Sequence, residues 1–584
     1  MNATKYKSSI NQRPPESGHS LPRVKKDQEN NMKNKQPFPR GIVLFALLLL
    51  WNAQCGTTKS ERRDAVTTGE QNMPGERLSR PEAELAKAEG VSDGMEIAPR
   101  PNVGPAYRRQ SQESNTEAYS RIYDNTFQDP KAHPLSTFSI DVDTASYSNV
   151  RRFLGAGQMP PKDAVRIEEL VNYFNYDYDG PSDARPFAVR ADVASCPWDN
   201  AHRLVRIGIQ GRKIAQENLP PRNLVFLLDV SGSMMEPNKL PLLKQSLKML
   251  TETLTEKDHV AIVVYAGSSG LVLPPTAGND RPKILEALSQ LEAGGSTNGA
   301  EGIQLAYKVM RENFHRGGIN RVILATDGDF NVGMTSEGDL IRLIEKERES
   351  GVYLTVLGFG YGNLKDSTME QLADKGNGNY AYIDNLSEAR KVLVEQAGGT
   401  LVTIAKDVKL QVEFNPAKVS SYRLIGYENR MLRDEDFNDD TKDAGEIGAG
   451  HTVTALYEIV PVGVPGRTGN IDPLRYQQTQ NAQTASSGEL MNVKIRYKAP
   501  DSNTSELISF VVPDSSADIT TASPDFRFAA SVAAFGMVLR DSEFKGQATL
   551  EMARRLAESG RGRDERGYRA EFIRLIQTAS DLNH

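Results

Sequence analysis

Between residues 223 and 384 the chain alternates two kinds of hydrophobic pattern. Short apolar runs occur at 223–229 (NLVFLLD), 259–266 (HVAIVVYA), 321–327 (RVILATD), 352–360 (VYLTVLGFG) and 379–384 (NYAYID). Runs of this length, rich in Val, Ile and Leu and bounded by turn residues, fit strands buried on both faces. Between them lie stretches with apolar positions three and four apart: Leu240–Leu254, KILEALSQL at 283–291, GIQLAYKVM at 302–310, DLIRLIEKE at 339–347, and a shorter one around Met369–Ala373. That spacing gives helices with one apolar stripe. The alternation predicts an α/β fold built on a central doubly wound parallel sheet.

The flanks have other periods. LSTFSIDVD at 135–143 alternates Phe138, Ile140 and Val142 with polar residues, a half-buried strand. A helix starting at Asp143 or Thr144 runs through Leu154, with Pro160-Pro161 closing the stretch, and a second covers Arg166–Tyr173. Two strand-like runs follow, Pro186–Cys196 and Arg203–Gln210. The pair Asp141 and Asp143 reads as a strand end with a helix cap, because no glycine or bidentate acid follows at calcium-loop spacing. After Leu401 the runs VKLQVEF, HTVTALYEIV, NVKIRYK and LISFVV predict an antiparallel β unit. RDEDFNDDTKD at 433–443 reads as a solvated acidic loop between its strands. The polar stretch 469–488 reads as mobile, and three amphipathic helices close the chain beyond Pro524.

The N-terminus changes the picture. Ile42–Trp51 is an unbroken apolar run of ten residues, half of what a helix needs to span a bilayer. Residues 1–40 carry nine Lys/Arg and three Asp/Glu, a local +6 within a chain of net charge -6, so everything from Cys55 onward nets -12. A basic flank, a short apolar core and Asn52-Ala53-Gln54-Cys55 form the layout of a secretory leader. Cys55 stands where a bacterial lipobox places its lipidated cysteine, although Asn52 and Gln54 depart from that pattern. A signal anchor with an incidental cysteine is the alternative. Starting at Met32, the basic region becomes compact, which predicts that residue as the true start. Residues 56–116 are rich in Glu, Arg, Ser, Pro and Gly without periodicity, and read as a disordered stalk. The acidic body excludes a nucleic-acid partner. Two cysteines are too few for a disulfide framework, and Cys196 reads as an unpaired small hydrophobe.

Candidate chemistry sits at the end of the first central strand. Asp229-Val230-Ser231-Gly232-Ser233 places one carboxylate and two hydroxyls on a loop at the carboxyl end of a parallel strand, where open α/β sheets bind ligands. One carboxylate and two neutral oxygens make half of an oxygen shell for a small hard cation, and so few anionic ligands leave it electrophilic. The same residue types also serve as helix N-caps. Two further loops offer metal-compatible groups, Gly294–Asn298 and Thr326-Asp327-Gly328.

Over about 221–400 the chain resembles the von Willebrand factor type A domain with its metal-ion-dependent adhesion site. Asp229, Ser231 and Ser233 match the first motif of that site, Thr297 its threonine, with Gly302 five residues on, and Asp327 its last aspartate. The resemblance implies Mg²⁺ or Mn²⁺ as the cofactor, with one coordination position open to a partner's carboxylate. The flanking stretches FSIDVDTASYSNVRRFL, RIEELVNYFNY and GYRAEFIRLIQTA resemble YfbK-like bacterial lipoproteins. The expected organisation is a leader (1–55), a stalk (56–116), an N-terminal α+β region (117–220), the type A domain (221–400) and a C-terminal β-rich and helical domain (401–584).

The expected function is therefore non-enzymatic: a cell-envelope lipoprotein that captures a protein partner's carboxylate through the metal and is anchored in the membrane through Cys55. Gly56, rather than Asp, after that cysteine points to the outer membrane. A metal-assisted hydrolase is the first alternative. The seven histidines form no HExxH pair, no G-x-S-x-G elbow is present, and no catalytic residue is nominated. An adaptor to a chelatase-type ATPase is the second. The chain has no G-x-x-x-x-G-K-[ST], and the leader directs it out of the cytoplasm. Gly358-Phe359-Gly360-Tyr361-Gly362 lacks dinucleotide-binding spacing and reads as a tight turn.

Overall fold

The computed structural model describes residues 116–328, 337–397, 401–465, 488–515 and 517–583. The leader with Met32 and Cys55, the stalk up to residue 115 and the polar stretch 469–487 lie outside them.

The central apolar runs form a six-stranded sheet. Before it come β1 (Leu135–Ser139), α1 (Ala145–Gly155), α2 (Ile167–Asn172), β2 (Phe187–Ser195) and β3 (Arg203–Gly211). The sheet and its helices follow as β4 (Arg222–Asp229), α3 (Leu240–Thr251), β5 (His259–Tyr265), β6 (Ser269–Ala277), α4 (Arg281–Ser289), α5 (Gly299–Glu312), β7 (Ile319–Thr326), α6 (Glu337–Glu349), β8 (Tyr353–Phe359), α7 (Asp366–Lys375), β9 (Tyr380–Ile383) and α8 (Leu386–Arg390). The strand order is β6-β5-β4-β7-β8-β9. β4 pairs in parallel with β5 on one side and β7 on the other, so the order reverses at its carboxyl end. Leu224, Phe226 and Leu228 pack with Leu243, Leu247 and Leu250 of α3, while Val225 and Leu227 pack with Ile303, Ala306 and Met310 of α5. A strand covered on both faces must be apolar at every position, which is the pattern of NLVFLL.

One strand of this sheet escapes the sequence reading. β6 pairs antiparallel with β5 at the sheet edge and carries Pro274 and Pro275. Consecutive prolines argue against a strand, but an edge position spares them the hydrogen bonds they cannot donate. The sheet is therefore parallel with one antiparallel edge.

The remaining strands are β10 (Thr403–Phe414), β11 (Val419–Ile425), β12 (Gly445–Gly448), β13 (Thr452–Pro461), β14 (Glu489–Lys498) and β15 (Ser505–Pro513). They do not pair only among themselves. One antiparallel sheet runs β11-β13-β3-β2 and the other β1-β10-β14-β15, with β12 paired to β10. Strands that precede the six-stranded sheet in the chain thus complete both sheets formed after it. Phe138, Ile207, Ile209, Val412, Val453, Tyr457 and Val493 fill the layer between the two sheets. Leu456 and Leu204, alternating with those inward residues, face a helical layer of α1, α2, α9 (Pro524–Arg540), α10 (Leu550–Gly560) and α11 (Tyr568–Leu582). Cys196 is a free, buried thiol in that layer. Among the described residues no helix is long and apolar enough to cross a membrane.

Buried arginines join the layers. Arg151 of α1 pairs with Asp384 at 2.5 Å, Glu388 at 2.7 Å and Glu571 at 2.9 Å. Arg430 reaches Asp141 at 3.2 Å, Asp143 at 3.3 Å and Asp374 at 2.5 Å. Asp141 and Asp143 therefore anchor Arg430 and cap no helix: Thr144 is the N-cap of α1 without a side-chain bond, and the Ser146 N–H donates instead to Glu169 at 2.7 Å. The 433–443 stretch is also more ordered than a solvated loop. It folds a 3₁₀ turn over Asp434–Asn438 with Phe437 buried, because Thr137, Lys409 and Lys498 supply donors to its oxygens.

Candidate metal centre

The apolar register of β4 ends at Asp229, which is fully buried at the point where the sheet order reverses. The chain turns immediately. The Ser231 N–H donates to Asp229 Oδ1 at 2.9 Å, and a 3₁₀ turn follows over Gly232–Met235. Asp229 Oδ2 accepts from Tyr265 at 3.2 Å and Thr326 at 3.0 Å. Burial pushes the Asp229 carboxyl up to about 6, against hydrogen bonds from Ser231 and Thr326 that favour the charged form.

The hydroxyls of Ser231 and Ser233 lie 3.0 Å apart. Adjacent oxygens in an octahedral Mg²⁺ shell are also about 3 Å apart, √2 times a metal–oxygen distance of about 2.1 Å. Helix capping does not consume these groups: Ser231 precedes the 3₁₀ turn, and Asn298 precedes α5, without a side-chain cap bond.

Two backbone hydrogen bonds stitch the second loop to the first. The Gly232 N–H donates to the Gly295 carbonyl at 3.1 Å, and the Gly294 N–H to the Val230 carbonyl at 2.8 Å. Thr297, half-buried, is thereby carried alongside the serine turn just before α5. Asp327 is fully buried at the end of β7, next in the sheet to β4. Its Oδ2 accepts from the Lys239 ammonium at 3.1 Å, and Lys239 also donates to Asn363 at 3.3 Å. Lys239 reaches Asp327 across Gly360, where φ is +75° and an added Cβ would sit 2.4 Å from Lys239 Cε.

All five motif residues thus converge on loops around the carboxyl ends of β4 and β7. Two carboxylates and one ammonium leave this arrangement one negative charge in excess, so the donor set fits a hard divalent cation. Ser231, Ser233 and Thr297 would hold it directly. Asp229, with both oxygens already on protein donors, would act through water. Tyr265, Lys239 and Asn363 are absent from the motif. The parallel register opposing Asp229 to Tyr265 identifies the tyrosine, but nothing local in the sequence identifies the other two.

Exposed apolar side chains flank the centre. Met235 is 68 % exposed on the serine turn, and Tyr361 is 57 % exposed on the loop that carries Asn363.

Comparison with known proteins gives three family matches. They are "von Willebrand factor" over residues 113–206, "von Willebrand factor type A domain" over 223–396, and "Uncharacterized protein YfbK, C-terminal" over 399–582. The Escherichia coli protein called "Uncharacterized protein YfbK" is 46 % identical over 475 residues, 80 % of this chain and 82 % of that one. A Synechocystis protein, "Uncharacterized protein sll0103", is 26 % identical over 191 residues, 32 % of this chain and 44 % of that protein. A solved structure, "von Willebrand factor type A from Catenulispora acidiphila", covers 69 % of this chain and 91 % of its own, with 18 % identity and a TM-score of 0.38. The similarity to the Escherichia coli relative spans the type A domain and both flanks: the chain belongs to the YfbK family of von Willebrand factor type A domain proteins.

Proposed function

We propose that the chain is a non-enzymatic, metal-dependent binding protein of the bacterial cell envelope, which captures a protein partner through a divalent cation at the Asp229 centre. The observation that carries this reading is the donor set: paired hydroxyls 3.0 Å apart and two fully buried carboxylates at the sheet's switch point. A Mg²⁺ or Mn²⁺ ion bound there supplies Lewis acidity toward a carboxylate presented from outside. The protein's own groups set up that exchange. The neutral hydroxyls leave the ion's charge uncompensated, Lys239 offsets part of the negative charge of Asp327, and Met235 and Tyr361 offer apolar surface for the partner's surroundings.

Lipid attachment at Cys55, with display on the 56–116 stalk, completes the proposal. The ten-residue apolar core and the cysteine after it support it. The test is capture of cell-envelope proteins by the immobilised chain in Mg²⁺ and in chelator. Asp229→Ala is expected to remain folded and lose chelator-sensitive capture. Equal capture by parent and variant would set the proposal aside.

A further inference from the structure

A second group of carboxylates lies far from the Asp229 centre in the chain, at the seam between β10–β12 and the six-stranded sheet. Asp407 sits where the β10–β12 register shifts between Ala405 and Val408. Asp443 ends the acidic loop, and Glu446 lies in β12. One carboxylate oxygen of each lies within 4.8 Å of the other two. Cations hold two of the three: Lys498 pairs with Asp407 at 2.5 Å, and Arg348 of α6 pairs with Asp443.

Glu446 differs. It is 9 % exposed and its Oε1 has no hydrogen-bond partner among the described residues. A buried carboxylate oxygen without a donor is costly unless something positive completes it. The carboxylates of Asp443 and Asp407 close by add to that cost, so a proton or a cation belongs there. Beside it a cavity of about 170 Å³ is lined by Asp141, Asp143, Asp374, Asp443 and Glu446 against Lys375 and Arg430, an acid-rich approach for a cation.

The geometry points to a structural Ca²⁺ site formed by Asp407, Asp443 and Glu446. Oxygens of one shell are separated by at most twice the metal–oxygen distance, about 5 Å for Ca²⁺ and about 4.2 Å for Mg²⁺. The three oxygens, all within 4.8 Å of one another, meet the limit for Ca²⁺, and Ca²⁺ accepts the irregular geometry of ligands drawn from a register shift, a loop end and a strand, whereas Mg²⁺ demands a near-ideal octahedron. Three acidic ligands likewise suit a retained structural ion, in contrast to the hydroxyl-rich Asp229 centre. All three ligands belong to the β-sandwich region, and Arg348 of α6 reaches Asp443 from the type A domain, so the ion would lie beside the junction of the two and stabilise the sandwich side of it.

Titration calorimetry with CaCl₂ on the full chain carrying Asp229→Ala, which silences the other centre, tests this site. The expected result is one Ca²⁺ per chain and a higher melting temperature in Ca²⁺. Adding Glu446→Gln or, separately, Asp443→Asn weakens binding by about tenfold or more and removes the thermal shift. Should the glutamine variant not fold, the asparagine variant decides. No Ca²⁺ uptake by the Asp229→Ala chain means that Glu446 carries a proton instead, and overturns the site. So does uptake unchanged by both substitutions.

Discussion

Lys239 shows how one side chain tunes a site it does not belong to by motif. Its ammonium lies 3.1 Å from an Asp327 oxygen in a nearly dry setting, where charges interact strongly. It offsets the charge of Asp327 and would repel a divalent ion arriving at the proposed centre. Lys239→Met is therefore expected to lower the stability of the metal-free chain, since it removes the ammonium that offsets a buried carboxylate. It should also tighten Mg²⁺ binding several-fold. Magnesium titration calorimetry checks this, and unchanged or weaker binding would contradict it. Asp229, Ser231, Ser233, Thr297 and Asp327 are legible in sequence because each lies within a few residues of a recognisable strand end or helix start. Lys239 is not, because its role depends on the path across Gly360, a loop brought near only by folding. Asp443 and Glu446 are missed for the same reason: they meet Asp407 through β-pairing, not through spacing along the chain.

At the scale of elements, the centre depends on how α5 sits on the sheet. Gly302 lies one turn into α5, and an added Cβ would stand 2.8 Å from Tyr265 Cβ and 3.1 Å from Leu227 Cδ1. Tyr265 in turn donates to Asp229, and α5 begins just after Thr297. Gly302→Ala gains about 1 kcal/mol in helix propensity yet forces the helix outward at an overpacking cost of about 1–3 kcal/mol. The expected outcome is a lower melting temperature together with weaker Mg²⁺ binding. A more stable variant with parental metal affinity would show that α5 does not set the site. The central strands and helices are legible because burial on both faces imposes unbroken apolar runs. β6 is not, because an edge strand tolerates the two prolines that argue against it. The partners of the flanking strands are also hidden: Leu456 and Tyr457 alternate correctly, but alternation does not say that β13 pairs with β3, some 250 residues earlier in the chain.

The type A domain and the flanking layers are tied together across that seam, and His451 marks it. The residue is half-buried just before β13, with its Nδ1 atom buried and without a hydrogen-bond partner among the described residues, near Val142, Tyr380, Val392 and Gln396. Burial lowers its pKa to about 4, with Lys391 and Arg321 of the type A domain adding to the effect. The folded chain therefore refuses a proton that the unfolded chain accepts below about 6.5. This group's contribution to stability is complete above pH 6.5 and is lost as pH falls toward 4, by about 3 kcal/mol in all. His451→Phe removes the linkage. Urea unfolding is expected to show the variant gaining on the parent by about 2–3 kcal/mol between pH 7 and pH 4.5. Parallel pH profiles would contradict it. The proposed function places partner capture at the Asp229 centre of this assembly. Envelope capture tests that account most directly. The full chain, immobilised in Mg²⁺, is expected to retain envelope proteins that EDTA releases, while Asp229→Ala with a native circular dichroism spectrum retains none of them. Retention that ignores EDTA, or that the variant shares, would contradict it.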